Sequence, residues 1–173
     1  MKYFIGYMVT IGLLILLIVF LIKSGGNNAP AVQAKTLDSY ATSDAEVSYL
    51  NSGPINAESL HREIKITVDN DYVTYQEIAG YNGHVIRTKR FSNNVNAYSN
   101  FLAALGRAGF AKGAKTETTQ TEKGACSLGN RYVFEMTQGT DQIQRNWTTN
   151  CGSGGGTFKG DISTTITLFE AQV

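Results

Sequence analysis

Alternation of apolar and polar residues marks the middle of the chain. The segment EIKITV, which begins at Glu63, places its three β-branched aliphatic residues on one face of an extended strand. An Asp-Asn-Asp turn follows at 69–71, and YVTYQEI returns the chain with similar spacing. After a second turn at 81–83, HVIRTKR (84–90) reads as a further strand. This part therefore predicts three consecutive antiparallel strands.

The apolar period then changes from two to that of a helix. Asn93 or Asn94 suits the N-cap, and Gly109 suits the left-handed position that ends a helix, with Phe110 folding back over the last turn. Between them the apolar residues form one stripe, and we expect its last four members to close the core: Val95, Tyr98, Phe101, Leu102 and Leu105.

Two further elements are predicted in the last third of the chain. RYVFEMTQ (131–138) and QIQRNWTT (142–149) form a hairpin, and apolar residues recur at helical spacing from Ile162 to Val173. Strand preference in 164–167 opposes that helix, but the spacing favours it. A short helix is also predicted over 36–47, capped by Thr36 or Asp38.

The order βββαββα predicts an α+β domain, in which an antiparallel sheet of about five strands is covered by one or two helices.

The N-terminus is an uncharged apolar run from Tyr3 to Ile22. As a helix it would cover about 30 Å of hydrocarbon, which predicts a single transmembrane signal anchor over 1–22. Residues 23–36 then form a flexible tether, and 37–173 form the folded domain. The alternative is a signal peptide cleaved after Ala31 or Ala34.

Cys126 and Cys151 are the only cysteines, and they flank the predicted hairpin. With a small irregularity in pairing they would lie opposite each other, so a disulfide is sterically reasonable. The alternative is two unrelated buried thiols. A disulfide implies an oxidising compartment, and hence a domain on the extracytoplasmic side of the cell membrane.

Composition excludes several classes of function. Only 17% of residues are charged and the net charge is +1, which argues against a nucleic-acid-binding protein. His61 and His84 lie in no metal-ligand spacing, GxSxG is absent, and CGSGGG lacks the Gly-Lys-Ser/Thr ending of a phosphate loop. We expect no metal, no cofactor and no enzymatic activity.

Charge and aromatic residues are unevenly distributed. Residues 35–86 hold three basic and eight acidic residues, whereas 87–123 hold seven basic and two acidic ones. If the third strand and the helix end at one pole, six cations form a patch for anionic lipid or acidic wall polymer; the alternative is a mixed solvated surface. The six are Arg87, Lys89, Arg90, Arg107, Lys112 and Lys115.

Three tyrosines lie close together around the first hairpin. They form either a sugar- or peptide-binding platform or ordinary cross-strand packing: Tyr72, Tyr75 and Tyr81.

Several segments, in this order behind an apolar N-terminus, resemble a family of uncharacterised single-pass envelope proteins from candidate-phylum bacteria with small genomes. They are HREIKITV, IAGYNGHVI, AYSNFLAALGRAGF, ACSLGNRYVFEM, GGTFKGDIS and LFEAQV. The resemblance covers most of 35–173 and implies that Cys126 pairs with Cys151 and that the chain ends in a helix. It implies no activity or ligand.

The sequence therefore predicts a membrane-anchored, extracytoplasmic domain that binds or scaffolds an unknown partner at the cell envelope. The alternative is an accessory subunit of a membrane assembly, such as a secretion or surface-filament complex.

Overall fold

Six antiparallel strands form one sheet in the order β4-β3-β2-β1-β5-β6. The computed structural model describes residues 36–113, 121–151 and 155–173, so the predicted anchor and almost all of the tether lie outside the described residues. No helix in these ranges has the length and apolar character needed to cross a membrane. The strands are β1 (Ala45–Ser52), β2 (Arg62–Val68), β3 (Tyr72–Ala79), β4 (His84–Ser92), β5 (Arg131–Gln138) and β6 (Asp141–Thr149).

The predicted helix over 36–47 is wrong, and the sheet has six strands rather than about five. Only Leu37–Tyr40 is helical, as one turn of 3-10 helix, and Thr36 makes no side-chain cap. The strand β1 begins at Ala45 and lies between β2 and β5, pairing with both. Its alternating Ala45, Val47 and Tyr49 are all buried, so sheet pairing on both sides outweighs the weak local helix preference of the preceding residues.

Two helices pack on one face of the sheet, as predicted. Helix α1 (Val95–Ala108) begins at Asn94, whose side chain accepts a hydrogen bond from the Ala97 amide at 3.0 Å. It ends at Gly109, where φ is +81° and the Phe110 amide donates to the Leu105 carbonyl. Helix α2 (Ile162–Glu170) confirms the predicted terminal helix, and Asp161 caps it through the Thr164 amide.

The helices bury an aromatic-rich core against this face. Of the predicted stripe, Val95 is 41% exposed, whereas the other four residues are buried. They pack with β-strand residues of the same face and with three phenylalanines from the chain after α1. These core residues are Val47, Tyr49, Ile66, Val68, Val73, Phe134 and Met136 of the sheet, and Phe110, Phe158 and Phe169.

Both predicted hairpins and the disulfide are present. The Asp69 carboxylate accepts hydrogen bonds from the Asp71 and Tyr72 amides at 2.7 Å, which closes the β2–β3 turn. Cys126 and Cys151 are bonded, with their Cα atoms 5.7 Å apart. The disulfide therefore lies at the open end of the β5–β6 hairpin, where β1 also ends and β2 begins.

Candidate functional site

A cavity of about 360 Å³ lies at this end of the sheet, on the face opposite the helices. Its floor comprises Leu50 and Ser52 of β1, Glu63 of β2 and Arg131 of β5. Residues 122–124 line it from the loop before β5, together with two partly exposed apolar side chains, Ile55 and Tyr81. The volume is within the range of small-molecule sites, and the lining combines an apolar wall with charges of both signs.

Arg131 is the most unusual residue of the cavity, because it is only 5% exposed and pairs with none of the acidic residues that the structure describes. Its Nη2 donates to the Ser52 hydroxyl at 2.8 Å and to the Gly53 carbonyl at 2.6 Å. In the described part of the chain, no carboxylate lies within 4 Å of the guanidinium, and Nη1 and Nε make no hydrogen bond. Since buried arginines are normally paired, the guanidinium is suited to receive an anion from outside the chain.

His61 forms a buried support beside Arg131. Its Nδ1 lies 3.1 Å from the Pro54 carbonyl oxygen, which only accepts, so Nδ1 carries a proton. Its Nε2 lies 3.4 Å from the Ser52 hydroxyl and 3.3 Å from the Glu63 carboxylate. A catalytic Ser-His-acid relay requires the acid on the other ring nitrogen from the serine. Here Ser52 and Glu63 both contact Nε2, so the cluster is a structural hydrogen-bond network rather than a catalytic relay.

Tyr81 connects His61 to the neighbouring loop. Its ring stacks on His61 with the centroids 4.1 Å apart. Its hydroxyl donates to the Asn56 carbonyl at 2.8 Å and accepts from the Asn56 amide at 3.0 Å. The β3–β4 turn and the segment before β2 are therefore held together at the rim of the cavity.

Several contacts hold the loop that closes the cavity, which we call the roof loop (residues 121–130). The Ser127 carbonyl accepts from the Ile55 amide at 2.8 Å, and the disulfide holds Cys126. Glu122 accepts from Arg145 at 2.7 Å. Burial opposes ionisation of Glu122, but the hydrogen bond and charge of Arg145, with help from its own backbone amide and Lys123, outweigh it and lower the pKa.

The structure does not bring together the five predicted patch cations that it describes. Arg87, Lys89 and Arg90 lie on β4, at one edge of the sheet. Arg107 lies in the last turn of α1, and Lys112 follows the helix. This segment packs against β6 at the other edge through a hydrogen bond from the Gln144 side chain to the Phe110 carbonyl. Lys115 lies outside the described residues.

The three tyrosines also do not form one platform. Tyr72 and Tyr75 belong to different faces of β3, where Tyr72 contacts Arg90 and Tyr75 contacts Lys89 and Glu77. Tyr81 packs on His61 instead. Within the described ranges, no group of three or more His, Cys, Asp or Glu side chains is arranged to hold a metal ion.

Sequence reasoning missed Arg131, although it recognised β5. Strict alternation in RYVFEM places Arg131 on the same strand face as Val133, which is buried at 4% exposure. Because Arg131 shares a strand face with a buried valine, the sequence pattern could have predicted that Arg131 is buried. Ser52 and the roof loop carry no comparable signal, because only the fold brings them to the site.

The chain matches no model of a known protein family and no curated protein.

Proposed function

We propose that this protein is a membrane-tethered, extracytoplasmic binding module without catalysis of its own, and that it captures a small carboxylate ligand in the cavity under the roof loop. The observation that carries the proposal is that Arg131 is buried and that no carboxylate of the described residues lies within 4 Å of its guanidinium. A resident anion would compensate a charge that is otherwise costly to bury.

Location outside the cytoplasm is supported by two independent features. The N-terminal run from Tyr3 to Ile22 has the length and composition of a signal anchor. The Cys126–Cys151 disulfide is a bond that persists in oxidising compartments.

The charges around the cavity favour a monoanion with an apolar body. The charged lining residues are Arg131, Lys123, Glu63 and Glu122, and Glu122 is already paired with Arg145, which is not part of the lining. Arg131 and Lys123 then face Glu63 alone, which leaves one positive charge to balance. A carboxylate fits the planar donor fork of a guanidinium, while Leu50, Ile55 and Tyr81 offer an apolar wall for the rest of the ligand.

The test uses the full-length chain in nonionic detergent, with binding of 4-fluorobenzoate followed by ¹⁹F NMR. The neutral isostere 4-fluorobenzamide measures the contribution of the charge. We expect the carboxylate to bind at least about tenfold more tightly than the amide, and Arg131→Met to remove this difference.

Arg87→Met is the matched control, because Arg87 is exposed and already paired with Glu77 at 3.2 Å. It should bind as the native chain does. Equal binding of acid and amide, unchanged binding by Arg131→Met, or no binding of 4-fluorobenzoate at about 10 mM would each contradict the proposal.

A further inference from the structure

The two edges of the sheet differ in how much neighbouring backbone covers them. At β6, the Thr148 backbone forms a bridge with Gly156, and the Trp147 carbonyl accepts from the Thr157 and Phe158 amides at 2.9 and 3.0 Å. This segment covers part of that edge. In contrast, within the described ranges β4 pairs only with β3, and all nine of its residues are exposed. The free edge of β4 thus presents backbone groups to which another strand can bond.

A β-bulge limits the usable part of this edge. Glu77 pairs with Arg87 and Ile78 with Val85, so Ile86 has no partner on β3. Beyond the bulge, pairing is regular from Arg87 to Ser92. We call these residues the β4 edge segment, and its length is about 20 Å.

The cations of the β4 edge segment lie back over β3 rather than across the free edge. Arg87 bonds to Glu77, Arg90 Cζ lies 3.6 Å from the centre of the Tyr72 ring, and Lys89 Nζ lies 5.9 Å from the centre of the Tyr75 ring. These three side chains therefore leave the backbone edge open. β4 contains no acidic residue, and Arg87 is its only cation that pairs with a carboxylate of the described residues. Lys89 and Arg90 therefore leave positive charge beside that edge.

We infer that the β4 edge segment is a docking site for an extended acidic segment of a partner protein, which adds to the sheet as a seventh strand. Backbone hydrogen bonds supply the pairing. Acidic side chains supply the selectivity, because they lie opposite Lys89 on one face of the sheet or opposite Arg90 on the other. The surface does not include Arg131 or the cavity, so the inference does not depend on the proposed ligand.

A second copy of the chain fits this edge poorly. Antiparallel pairing of two copies about the middle of the β4 edge segment sets Lys89 opposite itself or opposite Arg90. Like charges directly opposite destabilise a strand pair. The same charges that oppose self-pairing attract an acidic strand.

The test measures hydrogen exchange of the β4 amides in the full-length chain, kept in nonionic detergent, with a short peptide alternating Thr and Glu. A peptide alternating Thr and Lys tests the charge, and a Thr-Glu peptide with N-methylated backbone tests the strand pairing. We expect only the unmethylated Thr-Glu peptide to bind, and to slow exchange of alternate amides in the β4 edge segment by about tenfold or more.

Charge reversal provides the matched variants. Lys89→Glu with Arg90→Glu should lose the Thr-Glu peptide and gain the Thr-Lys peptide, whereas Arg107→Glu with Lys112→Glu, at the other edge, should behave as the native chain. The inference is overturned if the N-methylated peptide or anionic vesicles bind equally well, since binding is then electrostatic without strand pairing. It is also overturned if no peptide protects β4, or if sedimentation shows a dimer that the Lys89/Arg90 reversal dissociates.

Discussion

The two faces of the sheet are closed in different ways. On the helix face, aromatic rings fill the space: Tyr49 lies 5.7 Å, between ring centroids, from both Phe134 and Phe169. On the opposite face, buried polar residues such as Ser52 and Arg131 lie beneath loops held by hydrogen bonds and a disulfide. The helix face therefore provides the stability of the fold, while the loop-covered face leaves room for a ligand.

The largest effect is expected on the helix face. Leu105 is fully buried in the core, so Leu105→Ala should lower the free energy of unfolding by about 2–5 kcal/mol through lost packing and a residual cavity. The exposed Asn100 gives the control in the same helix, and Asn100→Ala should cost less than about 1 kcal/mol. Equal, small effects in chemical denaturation would show that α1 does not close the core as described.

Loss of the disulfide should have the next largest effect. Cys126 and Cys151 are 25 residues apart, so replacing both with Ser should cost about 3 kcal/mol, chiefly by freeing the unfolded chain. Native-state hydrogen exchange should also accelerate in the roof loop before it does in α1. Uniform acceleration across both faces would contradict the separation between them.

Arg131→Met should change stability less than Leu105→Ala does, although both residues are buried. The variant loses hydrogen bonds to Ser52 and Gly53 but also removes a buried unpaired charge. We expect a net change below about 1.5 kcal/mol in denaturant unfolding, together with loss of carboxylate binding. A cost similar to that of Leu105→Ala would mean that Arg131 has a structural role instead.

The smallest expected effect is on the free energy of unfolding at low pH. In the folded protein, the pKa of Glu122 is lowered from 4.5. Pairing of Glu122 with Arg145 therefore stabilises the roof loop fully at pH values above the pKa of Glu122 in the unfolded chain. This stabilisation is lost as the pH falls through the lowered pKa of the folded protein. Because the pair is partly exposed, the loss should be below about 1 kcal/mol. Glu122→Gln should remove this part of the pH dependence; an unchanged acid limb of the stability curve would contradict it.

Local signals predicted most of the fold. Capping and periodicity identified α1 from Asn94 to Gly109, and alternation identified β2, β3 and the β5–β6 hairpin. β1 was missed because its segment follows helix-compatible residues and its strand character depends on partners on both sides. Such pairing is a tertiary effect that no window of sequence contains.

The candidate site was less predictable for the same reason. Arg131, Ser52 and Glu63 come from three strands, and the roof loop joins them only after the sheet forms. The predicted cationic patch assumed that the end of β4 meets the end of α1. The helix instead crosses the sheet, so that its C-terminal end packs against β6.

The central position of β1 also dictates the order of folding. Its first partner, β2, follows at once along the chain, but its second partner, β5, is synthesised only after β4 and α1. Until β5 arrives, the nascent sheet exposes one unpaired edge of β1, beside Val47 and Tyr49, and such edges promote aggregation. Pairing of β5 with β1 is therefore a late, long-range step. The β5–β6 hairpin can form before this step, because its contacts are local.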